Sequence, residues 1–137
     1  MLILIKKLFY VYYFMKAKRC LIGEDILCAL NMFSKAKKYY SNDYQLYIYK
    51  GLSEFLLKLF DNALFSFQEA LVMIDANKKL SLDEKNYLKK YIIEHLLDIL
   101  RILEHSSNYD NYKNIYNGLN FNKSKINKKF FYDFPQE

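Results

Sequence analysis

The feature that most constrains this chain is a repeat of 34 residues. Ala29 and Ala63, Phe33 and Phe67, and Ala36 and Ala70 recur at that interval, and the same shift carries Tyr13 onto Tyr47, Ala17 onto Gly51 and Ile26 onto Phe60. A period in the 20–50 residue range means one supersecondary unit used more than once, each copy burying its apolar face against the next. The spacing within a copy is helical. Two antiparallel helices joined by a tight turn need a small residue where their axes approach and a large one beside it. Ala17 or Gly51 facing Ala29 or Ala63 supplies the approach, Phe33 and Phe67 fill the space, and Ala36 and Ala70 let the next unit dock.

Composition supports helices and one compact domain. Three Gly and one Pro in 137 residues leave little turn chemistry for the hairpins of an all-β fold, and 53% hydrophobic residues supply a core. The 19 Lys against 2 Arg and the 12 Asn reflect codons rich in A and T more than any chemistry.

The units run from Tyr10 to Asp43 and from Tyr44 to Asn77. Each resembles a tetratricopeptide repeat. The resemblance rests on Tyr13, Ala17, Ile26, Ala29, Phe33 and Ala36 in the first unit and on Tyr47, Gly51, Phe60, Ala63, Phe67 and Ala70 in the second. It covers about half the chain, and it departs from the pattern at Lys16, Cys20, Lys50 and Glu54, where larger apolar residues are usual. After Asn77 the register breaks, because the next shift lands on Leu97, Arg101 and Glu104. Ser81-Leu82-Asp83-Glu84 instead opens a long helix as a capping box, and Tyr109-Asp110-Asn111 echoes Phe60-Asp61-Asn62 as the second helix of a degenerate third unit.

The expected architecture is an all-α antiparallel helical-hairpin solenoid, right-handed by the resemblance. Its helices are expected near 5–22, 25–40, 44–57, 60–75, 82–105 and 109–119, in one domain over 1–119. Residues 120–137 form a basic, aromatic tail, poorly ordered unless Phe130, Phe131 and Phe134 find a pocket.

The net charge is +6, but it sits at the ends. Residues 1–23 carry five cations and no acid, residues 24–121 net −1, and residues 122–137 net +2. A nucleic-acid groove needs a basic face on the folded body, so charge alone does not favour one. Met1 to Met15 is apolar except for Lys6 and Lys7, too short to span a bilayer. It begins the first helix, or else serves as an organelle-targeting segment. Cys20 and Cys28 match no metal spacing and read as small buried apolar side chains in a reducing, intracellular, cytoplasmic setting.

No phosphate loop, nucleophile elbow or metal spacing occurs, and His95 falls on the apolar face of the long helix. The expectation is therefore a non-enzymatic protein with no cofactor and no metal. The resemblance implies a concave surface made by the first helices, lined by Val11, Phe14, Lys18 and Leu21 and by Gln45, Ile48, Tyr49, Leu52 and Phe55. The carboxylate clamp of one subclass is not present as a set, since Phe14, Lys18 and Tyr49 stand in its places. This apolar groove either takes an apolar or aromatic peptide or helix, or is covered within the chain by the long helix, the N-terminus or the tail. The leading function is a protein-binding adaptor or assembly subunit. Alternatives are a helical-repeat RNA-binding protein, and a membrane-associated adaptor inserting Leu2, Ile3, Ile5 and Leu8 beside Lys6, Lys7 and Lys16.

Overall fold

A computed structural model of the chain describes residues 1–134. Among the described residues there are seven α-helices, one 3₁₀ turn and no strand. The helices are α1 (Leu2–Ile22), α2 (Ile26–Tyr39), α3 (Tyr44–Leu56), α4 (Phe60–Ala76), α5 (Leu82–Ile102), α6 (Ser106–Gly118) and α7 (Lys129–Asp133), with the 3₁₀ turn at Lys123–Lys125 between α6 and α7. The fold class is all-α, as expected. The chain divides into two compact units, the first being Met1–Ala70 and the second starting at Leu71, within α4.

In the first unit α2 and α3 start where short polar side chains satisfy free backbone N–H groups. The Asp25 carboxylate accepts from the Cys28 N–H at 3.2 Å and opens α2, and Asp43 accepts from the Gln45 N–H at 2.9 Å and opens α3. The same Asp43 accepts from the Tyr10 hydroxyl, tying the start of the second hairpin to α1. Ala29, Phe33, Ala36, Ala63, Phe67 and Ala70 have no exposed surface. Helix α3 approaches α4 so closely at Gly51 that a methyl group there would stand 3.0–3.1 Å from three ring carbons of Phe67. This contact explains the small residue.

The turns repeat as well. Glu24 and Lys58, 34 residues apart, both have left-handed backbone, at φ 63° and 62°. Around each, the residue after it donates back to a carbonyl five positions earlier, Asp25 to Cys20 at 2.9 Å and Leu59 to Glu54 at 2.8 Å. Glu104 at φ 59° and the His105 to Leu100 bond at 3.0 Å build the same turn between α5 and α6. The third hairpin therefore exists, displaced by 46 residues from the second because α5 is long. Matching the turns sets Ser106, not Tyr109, in the place of Phe60. The echo at Tyr109-Asp110-Asn111 is not the structural equivalence, and α6 starts earlier than expected and buries no residue.

The cysteines depart from the expectation. Cys20 in the last turn of α1 and Cys28 in the first turn of α2 are both half-buried, and they form a disulfide with Cα atoms 5.9 Å apart. An antiparallel hairpin brings the last turn of one helix beside the first turn of the next, which the eight-residue spacing conceals in sequence.

In the second unit Ser81 and Glu84 form the capping box, with bonds of 3.1 and 3.0 Å, and α5 buries Leu88, Ile92, Leu96 and Ile99 along one stripe. Lys89 pairs with Asp75 at 2.9 Å, holding the end of α4 beside α5. The tail is ordered over 120–134 because its aromatic side chains find partners. Phe121 and Phe131 pack edge-on against Tyr87, Phe134 packs against Tyr91, and Phe134 is fully buried with its carbonyl accepting from the Tyr87 hydroxyl. Residues 135–137 lie outside the described residues.

Candidate functional site

Helices α1, α2 and α3, with Tyr40 just past the end of α2, bring together Tyr10, Phe14, Phe33, Tyr40 and Tyr49. Phe33 and Tyr49 stack with centroids 5.9 Å apart, and Phe14 meets both edge-on at 5.7 and 5.8 Å. Tyr10 stacks on Phe14 and is met edge-on by Tyr40. Offset and edge-on pairs of this kind contribute about 0.5–1.5 kcal/mol each beyond their buried area. Burial first, then the bond to Asp43, holds the Tyr10 phenol protonated far above its ordinary range. The Lys18 ammonium lies 5.2 Å from the Tyr49 ring centre and 5.8 Å from that of Phe14, so a cation sits at the edge of the cluster.

The surface expected from the sequence thus separates into a floor and a rim. Phe14, Ile48 and Tyr49 are core, with 9%, 0% and 6% of their surface exposed. Val11 is exposed, and Lys18, Leu21, Gln45, Leu52 and Phe55 are half-exposed. Phe55 packs edge-on against Phe60 across the α3–α4 turn. The floor side chains turn inward where α1 and α3 pack beside α2, and the large aromatics fill that space.

The departures from the repeat pattern at Lys50 and Glu54 also find their reason. Glu54 is 3% exposed, yet its carboxylate accepts from Lys50 at 2.9 Å on its own helix and from the Ser66 hydroxyl at 2.5 Å on α4. An ion pair with a third polar partner takes the place of an apolar contact between α3 and α4. The i, i+4 spacing of Lys50 and Glu54 is visible in the sequence. Their burial and Ser66 are not.

Elsewhere, His95 on α5 is half-buried against Tyr91, and burial lowers its pKa below the usual value while Asp98 and Glu94 pull the other way. Burial also pushes the neighbouring Tyr91 phenol up to about 12. No group of three or more His, Cys, Asp and Glu side chains is placed to hold a metal among the described residues. The class that fold and site define is an all-helical protein built on hairpins. No family model, no curated protein and no solved structure matches this chain.

Proposed function

We propose that this chain is a non-enzymatic interaction module of the tetratricopeptide type, in which two stacked hairpins present the rim of Val11, Lys18, Gln45, Leu52 and Phe55 to a segment of a partner protein. The observation that carries the reading is equivalence at two levels. Side chains 34 residues apart are buried in the same way, and left-handed turn residues 34 apart close both hairpins with the same hydrogen bonds. Such hairpins stack into surfaces that hold extended or helical peptides. The rim is apolar apart from Gln45 and Lys18, whose ammonium is held over two aromatic faces. A partner segment with apolar anchors and one carboxylate to meet Lys18 suits it.

The reading is tested with a photo-crosslinking residue at position 52 of the full chain, the products being identified from cells that make it, against a control at the exposed Val72. A protein partner captured at 52 and not at 72, and reduced about tenfold by Lys18→Glu with Val11→Asp, is the expected result. Capture of RNA, with yield falling steeply as salt rises, would favour the RNA-binding alternative instead.

A further inference from the structure

Helix α1 carries a second apolar side. Tyr10, Phe14 and Ala17 face the core and are buried, but Leu4, Ile5, Leu8, Tyr12 and Met15 follow helical spacing along the opposite side, each between 44% and 63% exposed. The helix also outruns its hairpin. Phe9 stacks on Tyr39, the last residue of α2, and residues 2–8, about 10 Å of helix, lie before that contact with every side chain exposed. Lys7 and Lys18 border the stripe on one side and Lys16 on the other, Arg19 follows it along the same side, and no acid occurs before Glu24. An apolar stripe whose helix carries cations and no acid is complementary to a surface that is apolar within and anionic at its face.

We infer that this outward side of α1 is a docking surface for an anionic lipid bilayer, the helix lying in the interface with Leu4, Ile5, Leu8, Tyr12 and Met15 below the headgroups and Lys7, Lys16 and Arg19 among them. It does not span the bilayer, since no helix of the described residues is long and apolar enough to cross a membrane. Lys18 borders the stripe while lying over Phe14 and Tyr49, so the docked helix leaves the rim described above beside the membrane rather than beneath it.

The test uses the full chain with vesicles of phosphatidylcholine alone and of phosphatidylcholine with phosphatidylserine, at low and high salt. The chain has no Trp, so Leu8→Trp adds a single reporter. Co-sedimentation with the anionic vesicles and a blue shift of the introduced indole's emission are expected. Leu4→Asp with Ile5→Asp should lower partitioning about tenfold or more, and Lys7→Glu with Lys16→Glu should lower it about tenfold on the anionic vesicles only. Because residues 4, 5, 7 and 16 pack into no core, circular dichroism and the thermal midpoint should match the parent chain, which separates lost binding from lost folding. Equal partitioning of the variants, or none of the parent, overturns the proposal. So does a parent dimer in sedimentation velocity that Leu4→Asp with Ile5→Asp dissolves, for then a second copy covers the stripe.

Discussion

Gly51 shows how much a single atom decides in this protein. Alanine there should gain about 1 kcal/mol of helix propensity, yet its methyl would press on the Phe67 ring at 3.0–3.1 Å. Gly51→Ala is therefore expected to be neutral to destabilising in urea titrations, and stabilisation by the full propensity gain would mean that Phe67 yields freely. Ala63 has no exposed surface, so Ala63→Leu should overpack and cost about 1–3 kcal/mol, read as a lower midpoint at unchanged slope. The pair of Lys50 and Glu54 sets a different trial. Lys50→Met leaves the Glu54 carboxylate buried with the Ser66 hydroxyl as its donor, and should cost up to about 3–5 kcal/mol. Adding Glu54→Leu should recover most of that loss, because two apolar side chains need no desolvation of charge. A double-mutant cycle showing simple additivity would count against the coupling.

At the scale of the elements, the hairpin turns share a defect that could be relieved. Glu24, Lys58 and Glu104 hold left-handed backbone that costs an L-residue with a Cβ about 1 kcal/mol relative to glycine. Gly23, with φ at −78°, stands one position too early to provide that relief. Lys58→Gly should raise stability by about 0.5–1 kcal/mol, whereas Lys38→Gly, in the last turn of α2, should lower it by a similar amount through lost helix propensity. Thermal midpoints of the two variants, moving in opposite directions, check the turn geometry. On α5, the depressed pKa of His95 has a definite pH consequence. Below the ordinary histidine value of 6.5 the unfolded chain binds a proton that the folded one resists, so stability is present at neutral pH and falls as the pH drops through that value toward the lower folded pKa. His95→Gln should flatten the loss between neutral and mildly acid pH in denaturant midpoints, and an unchanged slope would remove His95 as its source.

For the whole molecule, the chain forms two compact units, and in the second the tail packs its aromatic side chains onto α5. Phe134→Ala empties a fully buried site beside Tyr91 and should cost about 3–5 kcal/mol, read as faster amide exchange along α5. Unchanged exchange would mean that α5 holds without the tail. The sequence alone determined the helical class, the position of nearly every helix and the small and large residues of the first two hairpins, because period, caps and turn residues act within a few residues of chain. Ser81 caps α5 as its capping-box sequence predicts, and Asp25 and Asp43 cap α2 and α3 in the same local way. Only the tertiary structure decided which apolar side chains are floor and which are rim, since Ile48 and Leu52 differ in burial by the neighbour that reaches them and not by type. It also decided the disulfide of Cys20 with Cys28, the partnership of Glu54 with Ser66 twelve residues away, and the burial of Phe134 beside Tyr91. Each of these joins groups whose distance in space is set by how helices pack, and no local propensity encodes that distance.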